Sequence, residues 1–339
     1  MTSLTRTVTA AAALLALAAP AFSQEVNVYS SRHYDTDDAL YAKFTEETGI
    51  AVNRIEAKAD ELLARMEAEG ANSPADVFIT VDVGRMARAE EADLLQPFES
   101  ETIEARVPDH FQHPENLWFG VSQRARMIFY AKDRVENPPQ TYEELADPKW
   151  EGTICIRSSS NIYNQSLMAS IIEVHGEEVA KDWAKGILAN MAREPQGGDT
   201  DQLRGLVSGE CDIAVSNHYY YLRGVVGEVD GLTSGIDNLG WVWPNQDGRG
   251  THVNLSAVGM AANAPHPEEA KALLEFFTSD FAQEHFAAQN HEWTVVEGTA
   301  DDAATATLGA FKADETTPTA AFSRNAAKAQ AIFNEVGWD

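Results

Sequence analysis

Three consecutive tyrosines, Tyr219, Tyr220 and Tyr221, follow His218 in the stretch SNHYYYLRG, directly after the short apolar run CDIAVS. Two further phenols stand in comparable places: Tyr34 behind His33 after VNVYSS, and Tyr163 in the polar loop RSSSNIYNQSL. A phenol ionises near pH 10 in water, so tyrosinate at neutral pH requires a strong cation beside it. A hard, highly charged metal ion meets that need by displacing the proton, because metal ligands bind in their deprotonated form. Ferric iron is the match for several phenolates, whereas zinc calls for Cys/His clusters and calcium for Asp/Asn loops. Other uses of tyrosine stand beside this one. Phenols prop cores with a wet hydroxyl end, favour strands, and in a row form an aromatic box for an organic cation or a sugar. His33 with Tyr34 also raises acid–base catalysis in a secreted enzyme, but no nucleophile or base partner accompanies them. No GxSxG, HExxH or Walker loop occurs in the chain.

The elements around these phenols decide where they go. VNVYSS alternates as a strand, and DTDDALYAKFTEETG follows as a helix with Asp35 or Thr36 as N-cap, Leu40 and Phe44 one turn apart, and Gly49 as terminator. His33 and Tyr34 therefore fall in a strand-to-helix loop. The alternation continues through IAVNRIEA, ADELLARMEAEG, ADVFITV and VGRMARAEEADLL, which predicts parallel βαβ units. WFGVSQRARMIFYAK breaks the rhythm with a long β run, and NPPQTYEELADPKW is a loop with a turn or two of helix. A second alternating set runs from GTICIR through three helices to CDIAVS, and GWVWPNQDGRGTHVNLSAVGMAANAPH is again strand-like. PEEAKALLEFFTSDFAQEHFAA and TAAFSRNAAKAQAIFNEVGW each read as an amphipathic helix packed on core. The expected architecture is α/β: two βα lobes joined by two β-strand crossings, with residues 24–125 plus 252–297 in one lobe and 126–251 plus 298–339 in the other. Ligands of open α/β sheets sit beyond the carboxyl ends of the strands, where Tyr34 and residues 219–221 lie.

The opening MTSLTRTVTAAAALLALAAPAFSQE reads as a secretory signal over residues 1–23, cleaved near Ser23: Arg6 precedes an Ala/Leu stretch too short to span a bilayer. No later stretch approaches the roughly 18–20 apolar residues of a span, so the expected product is exported and soluble. The formal charge is −28, and losing Arg6 makes it one unit more negative. Such a surface repels polyanions and attracts cations, which makes nucleic acid and anionic membrane poor partners. Cys155 and Cys211 form an even pair in an exported chain and predict one disulfide. A two-thiol metal site is the alternative, without a CxxC spacing to support it.

The stretches VNVYSSRHYDTD, ADVFITVDVGRM, WFGVSQRARMIFY, WEGTICIRSSSNIYNQSL, GECDIAVSNHYYYL and WPNQDGRGTHVNLS, in this order, cover nearly the whole chain after the leader. Together they resemble the periplasmic ferric-iron-binding receptors of ABC importers, the bacterial transferrin-like proteins, in their tyrosine-rich branch. The resemblance implies a type II periplasmic-binding-protein fold that closes over one Fe(III) in the interlobe cleft and hands it to an inner-membrane permease. A monomer in the periplasm is expected. Carried over by position, the metal ligands are Tyr34, Tyr163, Tyr219 and Tyr220, with His33 at a place some members use as an additional ligand. A related branch puts a Glu ligand after its ADVF-x-T strand. Val81 stands there and cannot coordinate, which argues against a His/Glu/Tyr/Tyr plus phosphate site. His33, water or a small anion such as carbonate is left to complete a mainly phenolate shell. Three phenolates balance a trivalent ion and a fourth leaves the site anionic, so Arg124 and Arg223 are expected as donors to the phenolate oxygens. Tyr221 leaves the register open: the tandem pair is Tyr219 and Tyr220, or Tyr220 and Tyr221 if it slips by one.

Overall fold

The computed structural model describes residues 24–32, 34–299 and 302–339; the leader with its cleavage site near Ser23, and His33, lie outside the described residues. Strand β1 (Glu25–Ser30) is followed by α1 (Asp37–Thr48), β2 (Ala51–Glu56), α2 (Ala59–Glu69), β3 (Val77–Val81) and α3 (Val83–Glu91). β1 pairs in parallel with β2 on one side and β3 on the other, as the alternation predicts. α1 buries Leu40, Tyr41 and Phe44, and it stops where Gly49 turns left-handed at φ 76° and its N–H closes on the Thr45 carbonyl. β3, VFITV, is buried along its whole length, as a central strand covered on both faces must be.

β4 (Leu95–Gln96) and α4 (Glu101–Arg106) lead into the long β5 (Trp118–Ala131). The chain then forms β6 (Ile154–Cys155), α5 (Ile162–His175), α6 (Glu177–Asn190), α7 (Asp199–Ser208), β7 (Ile213–Asn217), α8 (His218–Val226), β8 (Leu239–Val242) and β9 (Val253–Ala261). Helices α9 (Pro267–Phe276), α10 (Asp280–Asn290), α11 (Ala303–Ala306), α12 (Ala320–Arg324) and α13 (Ala326–Val336) complete it. The strands run in the order β2-β1-β3-β9-β5-β7-β6, with β4 added on β9 and β8 on β5. β5 changes partner along its length. Trp118 to Ala125 lie antiparallel to β9, and from Arg126 onward the strand pairs with β7, and from Ile128 with β8 as well.

Three apolar cores flank these strands. One gathers Val28, Phe44, Phe78, Phe277 and Phe286 around β1, β3 and α10. Two others lie on the faces of β7: Ile171, Trp183 and Phe333 in one, Phe129, Leu206 and Leu222 in the other. Cys155 and Cys211 are joined in the expected disulfide, which overturns the two-thiol metal alternative. Cys211 stands just ahead of β7 rather than inside it. Gly205 of α7 packs directly on the bridge, where a Cβ would come within 2.7 Å of one sulfur and 2.9 Å of the other. Each C-terminal amphipathic segment breaks into two helices instead of running as one. Ser279 accepts from the Ala282 N–H (3.2 Å) and so starts α10 afresh, and Asn325 interrupts the path between α12 and α13.

Candidate metal centre

Tyr34 lies between β1 and α1, Tyr163 in the first turn of α5, and Tyr219 and Tyr220 in the first turn of α8. The tyrosine run thus opens a helix: β7 ends at Asn217, whose extended backbone (φ −74°, ψ 146°) makes it the N-cap of α8. Tyr34, Tyr163 and Tyr219 are buried and Tyr220 is partly exposed. The Tyr163 and Tyr219 hydroxyls are 3.2 Å apart, and the Asn217 amide donates to the Tyr219 hydroxyl at 3.4 Å. The Tyr219 and Tyr220 rings lie 4.4 Å apart between centroids. Arg223, one helical turn further along α8, sets its guanidinium carbon 5.0 Å from the Tyr219 ring, 5.4 Å from that of Tyr220 and 5.3 Å from that of Tyr34. Four phenols therefore surround one place. Tyr221 goes elsewhere, packing its ring against Phe129 and Trp241 in the core at 5.3 and 5.4 Å.

Burial is the largest influence on these hydroxyls. It raises the pKa of Tyr34, helped by the Glu292 carboxylate and Tyr163, and it raises Tyr219 and Tyr220 well above the ordinary phenol value, helped by the neighbouring tyrosines. Without a metal they are neutral phenols. Three guanidiniums, of Arg124, Arg126 and Arg157, approach the Tyr163 ring at 5.8, 5.7 and 5.8 Å. Burial works against the Arg124 charge, but Glu292 and the surrounding phenols outweigh it and raise its pKa. Arg124 also donates to the Ser256 hydroxyl (2.9 Å) and the Leu255 carbonyl (2.7 Å), so it is anchored to β9 as much as to the phenols. Arg223 has no carboxylate within 4.0 Å among the described residues, which leaves its charge for the tyrosines.

Several residues that hold this arrangement escape sequence reasoning. Arg126 donates to Asp199 (2.6 Å), to the Asn217 side chain (3.2 Å) and to the Asn164 side chain (2.9 Å). It thereby fixes the start of α5 beside Tyr163 to the N-cap of α8 beside Tyr219. The signal for it lay in SQRARM, where a strand period of two puts Arg124 and Arg126 on one face. Glu292, which bonds Ser122 at 2.7 Å and Arg124 at 3.4 Å, follows α10 in an irregular segment without any comparable signal. Arg32 is paired with Asp37 at 2.8 Å and lies 4.8 Å over the Tyr34 ring. His218 is a pin rather than a ligand: Ala125 N–H donates to its Nδ1 (3.3 Å), its Nε2 donates to the His291 carbonyl (2.6 Å), and its ring stacks on Trp293. Among the described residues no three of His, Cys, Asp and Glu gather to hold a metal. A cavity of about 1270 Å³ lined by Trp118, Trp293 and Phe311 contains none of them.

Residues 72–312 match the family of bacterial extracellular solute-binding proteins. The chain is 50% identical over 320 residues to "Iron uptake protein A1" of Synechocystis sp., covering 94% of this chain and 89% of that protein. A Trichodesmium protein solved "in complex with iron and citrate ligands" superposes with a TM-score of 0.87 at 48% identity, over 93% of this chain and all of that one. The "Ferric binding protein from Campylobacter jejuni" superposes at 0.88 with 37% identity, again over 93% of this chain and all of that one. The fold is the type II periplasmic-binding fold shared by these ferric-binding proteins.

Proposed function

The chain belongs to the bacterial extracellular solute-binding proteins, and on that footing we propose a periplasmic receptor that captures Fe(III) through Tyr34, Tyr163, Tyr219 and Tyr220 and delivers it to an inner-membrane ABC permease. The observation that carries this reading is the convergence of four phenols, from three separate elements, on the space beside Arg223. An aromatic box for an organic cation or a sugar needs ring faces; here the hydroxyls of Tyr163 and Tyr219 meet each other, which serves an ion that binds oxygen. Three phenolates neutralise a ferric ion, and Arg223 offsets the fourth. His33, next to Tyr34 in sequence, and water or a small anion such as carbonate complete the shell. The citrate of the Trichodesmium complex is an oxygen donor of that kind.

In this reading the lobes divide within β5, residues 24–125 with 252–297 against 126–251 with 298–339. Tyr34 then belongs to one lobe and the other three phenols to its partner. Iron held by the three draws Tyr34 across the cleft, so closure is favoured by the ligand gained in the closed state. The leader directs the chain to the periplasm, and the work is capture and release rather than catalysis. Addition of Fe(III) as its nitrilotriacetate complex at neutral pH should produce the red to purple colour of phenolate-to-iron charge transfer. Tyr219→Phe combined with Tyr220→Phe should abolish it, and unchanged colour and affinity in that double variant would refute the site.

A further inference from the structure

Asp82 carries a set of contacts that the iron site does not use. It stands between β3 and α3 with φ 125° and ψ 115°, outside the region a side chain other than glycine adopts freely. Capping a helix does not require this: Ser100 caps α4 and Ser279 caps α10 with ordinary extended backbones. The Asp82 carboxylate is fully buried and accepts from Gly84 N–H at 2.9 Å and from the Asn254 amide at 3.1 Å. Its remaining bonds run to another part of the molecule. The Ser166 hydroxyl lies 3.0 and 2.9 Å from the two carboxylate oxygens, and Ser166, also buried, sits on α5 nearly one turn after Tyr163. On the other side Asp82 is tied to β9, its N–H donating to the Leu255 carbonyl at 3.0 Å, while the Asn254 side chain accepts from Val83 N–H at 3.0 Å. A strained, buried carboxylate at a strand end thus grips the helix that presents an iron-binding phenol.

We propose that Asp82 is the latch of lobe closure. Its bonds with Ser166 form as the cleft shuts, hold the lobe of Tyr34 against the lobe of Tyr163, and set how fast iron leaves. This rests on the iron-receptor reading and its lobe assignment. Asp82 and Ser166 are positioning residues; neither touches the ion. Opening breaks a hydrogen bond to a charged group that closure had taken out of water, and bonds of that kind matter by one to two orders of magnitude in an equilibrium. Removing the hydroxyl should therefore move the open–closed balance while leaving the ligand set as it is.

The test uses the full mature chain loaded with Fe(III). Decay of the charge-transfer band on mixing with excess EDTA gives the release rate, and small-angle scattering gives the radius of gyration with and without iron. Ser166→Ala should release iron on the order of tenfold faster, with the band maximum unmoved. Its iron-loaded radius of gyration should shift toward that of the iron-free protein. Asp82→Asn, which tolerates the same backbone but loses the charge, should also speed release. Ser166→Ala carries the test should Asp82→Asn fold poorly. Wild-type release and wild-type scattering in Ser166→Ala would overturn the latch while leaving the receptor intact. A wild-type protein without the band would overturn the receptor reading, and the latch with it.

Discussion

Iron binding should expel protons in proportion to the phenols it recruits, and this sets a steep pH dependence whose sign follows from the site. Burial holds Tyr34, Tyr219 and Tyr220 above the ordinary phenol pKa, so at pH 7 the iron-free protein carries their protons. The hydrogen bond between the Tyr163 and Tyr219 hydroxyls itself requires a proton on one of them. Ionising a phenol of ordinary pKa at pH 7 costs about 4 kcal/mol, so four cost about 16 kcal/mol before burial is added. The metal must supply all of it. Because acid favours the protonated, iron-free form, each displaced proton weakens binding about tenfold per pH unit. Lowering the pH from 7 to 6 should then reduce affinity by about three to four orders of magnitude, close to 5 kcal/mol. Competition against a chelator of known protonation, across pH 6 to 8, gives the slope. Calorimetry in buffers of different ionisation enthalpy counts the protons independently. A slope of one or less, or a tyrosinate ultraviolet band already present in the iron-free protein at pH 7, would refute the phenolate mechanism.

Two other outcomes test the frame around the site. Burial pushes the His218 and His252 imidazoles down to about 3, so both are neutral in the fold. Their contribution to stability is present above pH 6.5, the unfolded value, and is lost as pH falls toward 3. Between pH 7 and 5 the iron-free protein should lose about 2 kcal/mol per histidine, read from urea unfolding, and an unchanged midpoint would show that these rings are not held neutral. The Cys155–Cys211 disulfide closes 56 residues, for which chain entropy gives about 4 kcal/mol. Replacing both by Ser should lower unfolding free energy by about 2–4 kcal/mol yet leave the iron colour, since the bridge packs on Gly205 of α7 and neither cysteine is among the proposed ligands.

The fold was legible because its signals are local. Alternation in VNVYSS, the helical spacing of Leu40 and Phe44 with Gly49 behind them, and the uninterrupted β run of WFGVSQRARMIFYA each name an element without help from the rest of the chain. The phenols were legible for the same reason: each follows a strand and begins or precedes a helix. What was not legible depends on distance in sequence. Glu292 meets Ser122 and Arg124, and Asp82 meets Ser166 and Asn254, across separations that no periodicity encodes. Where Tyr221 goes was equally beyond a one-dimensional reading. It turns on which face of α8 lies on Phe129 and Trp241, and that face takes Tyr221.

The distribution of charge ties these pieces to selectivity. A chain with a formal charge of −28 concentrates guanidiniums around its phenols: Arg32 over Tyr34, Arg124, Arg126 and Arg157 around Tyr163, and Arg223 among Tyr34, Tyr219 and Tyr220. The acidic surface draws cations of every kind toward the protein. On the proposed reading the cleft then acts as a threshold, because the oxygens there are neutral until ionised and burial, with the Glu292 and Asp199 carboxylates, opposes their ionisation. A divalent ion gains less from each phenolate than a trivalent one, yet it faces the same ionisation cost and the same guanidiniums. Arg223 sharpens the threshold. With four phenolates and Fe(III) it neutralises the one surplus negative charge, whereas a divalent ion would leave two and one of them uncompensated. On the proposed iron reading, the phenols and Arg223 therefore act together, and the charge they balance is that of a trivalent ion.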